Sequence, residues 1–175
     1  IFNEKLNKNN QTLNYWHNII PKKFDKFKFI NENQKNELIN LKPIFIIGLP
    51  RSGSTMVEAI LSSGDTIIKN LGETNILNGT IVSTHNELQK KENVTIDLKL
   101  INSKVLKLMR DRNFLGTKNN IFTDKSLENF FYIEIILKLF PQAKFVNTFR
   151  NIEDNIFAIF QQSLAKLSWT HSIEN

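Results

Sequence analysis

The chain of 175 residues contains no cysteine, which excludes disulfide bonds and metal sites built on thiolates. It also lacks a run of about 18 apolar residues, so no transmembrane helix is predicted. The N-terminus does not resemble a signal peptide, and a cytoplasmic location is the expectation. The histidines, His17, His85 and His171, do not have metal-ligand spacing, so we expect no metal and interpret each as a solvated or core-edge side chain.

Positive charge is in excess, with 23 Lys and Arg against 17 Asp and Glu and a formal net charge of +6. This balance suits a polyanionic ligand, and on charge alone nucleic acid, a membrane surface and a phosphorylated nucleotide all remain open. Basic and aromatic residues alternate over Lys22–Lys28, which indicates either phosphate contact or a solvated segment that packs its Phe on one side. No nucleic-acid-binding motif accompanies it, so nucleic acid is not expected as a partner.

A strand, a loop and a helix follow one another from Pro43 onward. The apolar run Ile44–Ile47 predicts a buried strand, and the polar turn Gly48–Ser54 follows it. Apolar residues then recur at helical spacing as far as Ser63, and we expect Glu58 on this helix to be solvated.

Strands and helices alternate along the rest of the chain. The predicted elements are a short strand at Ile67–Ile68, helices near 74–90 and 97–112, a strand at Ile121–Thr123, a helix capped by Ser126 and ended by Pro141, a strand at Lys144–Phe149 and a helix over 154–167. This alternation predicts a three-layer α/β fold, with a mostly parallel sheet and helices on both faces. Ligands of such sheets bind beyond the carboxyl ends of the strands, where this chain has Arg51, Glu73, Asp124–Lys125 and Arg150.

The loop from Gly48 to Thr55 has the outline of a P-loop. Gly48 and Gly53 are spaced as in the Walker A pattern, but Ser54 replaces the Walker lysine and Arg51 lies inside the loop. Backbone N–H groups, the N-terminus of the following helix and the hydroxyls of nearby Ser and Thr residues all favour an anion. The sequence therefore predicts a P-loop-like phosphate site that is not built for the γ-phosphate of ATP or GTP. The alternative is an ordinary strand-to-helix turn.

The segment Ile44–Ser63 resembles the 5′-phosphosulfate loop of sulfotransferases that use 3′-phosphoadenosine 5′-phosphosulfate (PAPS). It is most similar to the bacterial tetratricopeptide-linked branch, which is similar to tyrosylprotein sulfotransferases. Further matching segments follow in the family's order, and they are Gly72–Thr74, Thr123–Lys125, Asn129–Phe130, Phe140–Lys144 and Phe149–Arg150 with Asp154.

The resemblance implies a role for each candidate residue. The 5′-phosphosulfate of PAPS would be held by Arg51, Ser52, Gly53, Ser54 and Thr55. Arg150 would bind the 3′-phosphate, Glu73 would act as the general base, and Lys125 would stabilise charge on the bridging oxygen. The acceptor would be a hydroxyl of a protein tyrosine or a sugar.

The same resemblance divides the chain in two. We expect a helical and basic lead-in over residues 1–42, which could follow upstream tetratricopeptide repeats. Residues 43–175 would form a sulfotransferase core that is incomplete at its C-terminal end.

Each of these residues also has a structural interpretation. Glu73 could be a carboxylate in the first turn of a helix, and Lys125 could be a surface lysine. Asp124 could cap a helix or orient Lys125, and Arg150 could form a surface ion pair with Asp154.

The chain departs from the family at three places. Ala158 stands where many relatives have a Ser that contacts the 3′-phosphate, and Asn151–Ile152 replaces a commoner Asp-Pro. Asn75 stands where the tyrosylprotein branch has an Arg. Two other functions stay open at this point: an ATP-dependent P-loop kinase, which the missing lysine disfavours, and a non-catalytic anion-binding or nucleotide-binding module.

Overall fold

Four short strands form a single parallel sheet in the described part of the chain, and three of them are rich in β-branched and aromatic residues. The structure is a computed structural model, and it describes residues 2–19, 37–89, 98–115, 120–162 and 164. The strands are β1 (Lys42–Gly48), β2 (Lys69–Asn70), β3 (Ile121–Asp124) and β4 (Lys144–Thr148), in the order β2-β3-β1-β4. The prediction of an α/β fold around a parallel sheet is confirmed.

Helices connect and surround these strands. They are α1 (Phe2–Asn14), which continues into a π-helical turn at Tyr15–Ile19, α2 (Ser54–Ser62), α3 (Ile76–Gln89), α4 (Leu98–Asp111), α5 (Ile133–Leu139) and α6 (Ile152–Gln162), with 3₁₀ turns at Glu37–Asn40 and Leu127–Tyr132. The predicted helices near 74–90 and 97–112 correspond to α3 and α4. Among the described helices, none is long and apolar enough to cross a membrane.

The core lies mainly on the face of the sheet that α3, α4 and α5 cover. Leu98, Ile101, Val105 and Met109 recur at helical spacing along α4 and are all buried in the same cluster. Each such side chain contributes about 1.5–3 kcal/mol relative to an exposed one. In β1 the consecutive residues Phe45 and Ile46, which point to opposite faces, are both buried, so both faces of the central strand are covered.

Two predicted elements differ from the structure in position or extent. The second strand is Lys69–Asn70, where pairing with Phe122 and Thr123 of β3 places it, and not Ile67–Ile68, since Ile67 is 71% exposed. The last helix is α6, which begins before the predicted start and ends at Gln162. Residues 163 and 165–167 of that prediction lie outside the described residues, as does the stretch Lys22–Lys28.

Ser126 does not cap an α-helix. It precedes the 3₁₀ turn Leu127–Tyr132, and its hydroxyl makes no bond to that turn. A 3₁₀ turn has three residues per turn and so directs its side chains differently from an α-helix. Phe130 of this turn and Leu137 of α5 are both exposed.

His85 is fully buried in α3. The expectation that its side chain is solvated or at the core edge was therefore wrong. The Nδ1 of His85 lies 3.1 Å from the hydroxyl oxygen of Tyr15, which follows α1. The nearby Tyr132 hydroxyl donates to Asn78 Oδ1 at 2.7 Å, and burial raises the pKa of Tyr132 well above its ordinary value. The contact between Tyr15 and His85 attaches the end of the N-terminal helical segment to the core.

Candidate functional site

The loop between β1 and α2 depends on glycine at two positions. Gly48 has a φ of +146°, and a Cβ there would lie 2.3 Å from the backbone oxygen of Thr148 in β4. Gly53 has a φ of +99° and caps α2 without a side-chain hydrogen bond. The first N–H groups of a helix have no intrahelical acceptor, so this helix end presents donors and the positive end of its dipole. The predicted turn between strand and helix is therefore present, and it leaves backbone N–H donors at the start of α2.

The Ser52 hydroxyl, which was predicted to face an anion, forms a hydrogen bond within the protein. The Thr148 hydroxyl donates to the Ile47 backbone oxygen at 3.1 Å, so Ser52 Oγ donates to Thr148 Oγ1 at 2.7 Å. This bond joins the loop to β4, and it leaves Ser54 and Thr55 as the loop hydroxyls that can turn to a ligand.

Arg51 and Arg150 lie beside each other at the carboxyl ends of β1 and β4. Arg51 is exposed with a φ of +66°, and within the described ranges no carboxylate pairs with it. Pairing of Gly48 with Thr148 places Arg150, just after β4, beside the start of the loop. Arg150 is 48% exposed and lies 4.0 Å from Asp154, so the ion pair proposed from sequence is present. Exposed pairs of this kind contribute about 0–1 kcal/mol, and Arg150 can readily exchange Asp154 for a ligand.

Asn155 of α6 forms a second side-chain hydrogen bond to the loop between β1 and α2. Its side chain is buried, and its Nδ2 donates to the backbone oxygen of Pro50 at 2.7 Å. The start of α6 is capped by Asn151, whose Oδ1 accepts from the Asp154 N–H at 3.2 Å. Sequence reasoning missed Asn155, because an Asn in an amphipathic helix does not indicate a distant backbone partner.

Glu73 and Lys125 meet across the ends of β2 and β3. Lys125 Nζ lies 3.3 Å from Glu73 Oε1, and the side chains of Lys125 and Glu73 are 12% and 66% exposed, respectively. Lys125 is thus not an ordinary surface lysine. Glu73 is not in the first turn of a helix either, since α3 begins only at Ile76. The structure brings together the two residues that were predicted to be catalytic.

Asp124 has a structural position behind this pair. It is buried, its Oδ2 accepts from the Thr74 hydroxyl, and its Oδ1 accepts from the Ser126 N–H at 2.8 Å, the Ser126 hydroxyl at 2.6 Å and Asn129 Nδ2 at 3.0 Å. The structural interpretation of Asp124 is supported, whereas none of these bonds orients Lys125. The network instead fixes Thr74, which follows Glu73, and the residues on both sides of Lys125.

Glu58 is buried, at 6% exposure, and the expectation that it is solvated was wrong. Its Oε1 accepts from the Gly72 N–H at 3.1 Å and from the Thr123 hydroxyl at 2.7 Å. The apolar Met56 and Ile60 of the same helix are exposed instead. The one sequence feature that could have indicated this burial was spacing. Glu58 lies about one helical turn after Ser54, so the two side chains share a face of α2.

Among the described residues, no group of three or more His, Asp or Glu side chains is arranged to hold a metal ion. At the carboxyl ends of the strands the structure places the loop Gly48–Thr55, which we call the anion loop after its predicted ligand, two arginines and a Glu–Lys pair.

Comparison with known proteins gives two findings. The model of the sulfotransferase family matches residues 43–174. An uncharacterized protein of Aquifex aeolicus (strain VF5) is 29% identical over 133 residues, which cover 71% of this chain and 17% of that protein. The chain thus matches only a small part of that relative's length.

Proposed function

The chain belongs to the sulfotransferase family, and from this premise we propose that it transfers a sulfuryl group from PAPS to a hydroxyl acceptor. The observation that supports the donor most directly is the meeting of an anion loop, two exposed arginines and a Glu–Lys pair at one edge of the sheet. Parallel strands place their carboxyl ends at the same edge, where α/β proteins bind ligands.

The residues of the loop fit the phosphosulfate end of PAPS. The helix N-terminus at Gly53, with Ser54, Thr55 and the Arg51 guanidinium, offers several donors to one oxyanion. We propose that these groups, together with Ser52 as the link to β4, hold the 5′-phosphosulfate.

Arg150 fits the 3′-phosphate, because it is exposed beside the loop and only weakly paired. This phosphate distinguishes PAPS from other adenine nucleotides. Ala158 is half-buried on α6 and offers no hydroxyl, so Arg150 carries more of the contact here than it does in relatives that have a Ser at this position.

The bound donor supplies the sulfuryl group and leaves as 3′-phosphoadenosine 5′-phosphate (PAP). Glu73 Oε1 accepts the proton of the attacking hydroxyl while the new oxygen–sulfur bond forms. Lys125 Nζ, which contacts that carboxylate at 3.3 Å, stabilises the negative charge on the leaving phosphate oxygen. Because the side chain of Lys125 is only 12% exposed, it is held in place before the reaction. A donor that is already in place does not have to move or shed water as the charge develops.

A protein tyrosine or a sugar hydroxyl is the acceptor that we propose. Glu73 is largely exposed, so a bulky acceptor can reach it. Asn75 does not supply a second cation beside the base, and its N–H instead donates to Ser126 Oγ at 2.9 Å. The attacking oxygen would thus depend on Glu73 and Lys125.

Thermal stabilisation of the full-length protein by PAP, compared with ATP and GTP, tests the proposal. PAP at about 100 times its Kd should add roughly 2.7 kcal/mol of stability. Arg150→Ala should weaken PAP binding by about 10- to 150-fold, which corresponds to a charged hydrogen bond of about 1.5–3 kcal/mol. Lys107→Ala, which removes an exposed positive charge from α4, is the matched control and should bind PAP normally.

Stabilisation by ATP alone would contradict the proposal in favour of a kinase. Stabilisation by none of the nucleotides would favour a non-catalytic module.

A further inference from the structure

Glu58 is a buried carboxylate that the proposed chemistry does not use. It lies in the second turn of α2, the helix that begins at the anion loop. Acidic side chains are rarely this buried unless they are paired. Both of its hydrogen bonds come from outside its own helix, from Gly72 and Thr123, and both reach the same oxygen, Oε1.

The two donors to Glu58 stand directly before the candidate catalytic residues. Gly72 precedes Glu73, and Thr123 precedes the Asp124–Lys125 segment. The strand ends are also joined to each other, since the Lys125 N–H donates to the Gly72 backbone oxygen at 2.9 Å. Gly72 is thus held through its N–H by α2 and through its oxygen by the residue that follows β3.

We infer that Glu58 is a positioning residue, which sets Glu73 and Lys125 at a fixed distance from the anion that α2 holds. The inference rests on the proposed function. The N-terminal end of α2 presents its donors to the phosphosulfate. Glu58, on the same short helix, bonds to the ends of β2 and β3, which are followed by Glu73 and Lys125. A displacement of about 1 Å can reduce a rate by about 100-fold, so such a link bears directly on turnover.

Glu58→Ala and Glu58→Gln separate positioning from general loss of stability. Alanine removes the accepting oxygen, whereas glutamine keeps an amide oxygen that can accept from both Gly72 and Thr123. In the full-length protein we expect Glu58→Ala to lower kcat by about 10- to 100-fold with KM for PAPS within about threefold of the wild-type value. Glu58→Gln should keep kcat within about threefold of wild type.

Ile101→Val is the control for lost stability, because Ile101 is buried in α4 away from the site. This variant should unfold more easily and still turn over at the wild-type rate at 25 °C. If kcat of Glu58→Ala matches that of Ile101→Val, or if Glu58→Gln is as slow as Glu58→Ala, the positioning role is wrong.

Amide hydrogen exchange at Gly72 gives a readout that does not depend on catalysis. Exchange at this N–H should be faster in Glu58→Ala than in the wild type, and Glu58→Gln should restore protection. Unchanged exchange at Gly72 would overturn the inference even if the enzyme is active. A wild type that neither binds PAP nor turns over would overturn the proposed function instead, and the exchange data would still decide whether Glu58 fixes this loop.

Discussion

The nucleotide half of the site, which we define as residues 48–55 with Arg150, holds its charges differently from the catalytic half, which we define as Glu73, Lys125 and Asp124. The nucleotide half has its cations in solvent, and the described residues give Arg150 only a weak partner at 4.0 Å. The catalytic half has Lys125 at 12% exposure in contact with Glu73, above a buried carboxylate with four hydrogen bonds.

This difference matches two separate tasks. Exposed arginines attract a charged ligand and can exchange it, and keeping these cations in solvent requires little structural support. A base and a cation that act on a developing charge gain from being fixed in advance. Substitutions in the nucleotide half should therefore change KM for PAPS, whereas those in the catalytic half should change kcat or the stability of the fold.

The largest effect that we expect comes from Glu73→Gln in the catalytic half. Glutamine keeps the size of the side chain but cannot accept the proton of the attacking hydroxyl. We expect kcat to fall by about 10²- to 10⁴-fold, while stabilisation by PAP is unchanged. Initial rates with PAPS and an acceptor hydroxyl, together with thermal unfolding in PAP, measure both quantities.

Glu134→Gln is the matched control, because Glu134 also pairs with a lysine, Lys138, at 2.6 Å but lies on α5. Its rate should equal that of the wild type. A Glu73→Gln variant that turns over within a few-fold of the wild type would exclude Glu73 as the base.

The nucleotide half was more predictable from sequence than the catalytic half. The loop from Gly48 to Thr55 is continuous in sequence, and its glycines and following helix determine its backbone locally. Arg150 was placed correctly as well, because the carboxyl ends of parallel strands meet at one edge. What sequence did not indicate was the Ser52–Thr148 bond, which depends on the pairing of β1 with β4.

The catalytic half is assembled from segments that are distant in sequence, and there the predictions were less complete. Glu73 and Lys125 were named, but Glu58 was expected in solvent, whereas it is buried and the apolar Met56 and Ile60 of the same helix are exposed. The short strand β2 was misplaced for a related reason. Its position depends on pairing with β3, and hydrophobicity at Ile67 carries no information about that pairing.

Asp124→Ala tests whether the catalytic half depends on its buried carboxylate. The substitution leaves the donors of Thr74, Ser126 and Asn129 without their acceptor. We expect the free energy of unfolding to fall by about 3 kcal/mol, which urea denaturation measures. Asp111→Ala, at an exposed position at the end of α4, should change it by no more than about 0.5 kcal/mol. A loss no larger than that of this control would show that the network does not support the site.

Asn155→Ala should have the smallest effect, and it acts on the nucleotide half through Pro50. The variant removes the bond from Asn155 Nδ2 to the Pro50 oxygen and loosens the loop beside Arg51. Loss of one neutral hydrogen bond of about 1 kcal/mol corresponds to an increase of about fivefold in KM for PAPS, with kcat nearly unchanged. Gln161→Ala, exposed on the same helix, is the control and should leave both constants unchanged. If Asn155→Ala instead lowers kcat as much as Glu58→Ala does, the loop and the base move together, and the division of the site into two halves does not hold.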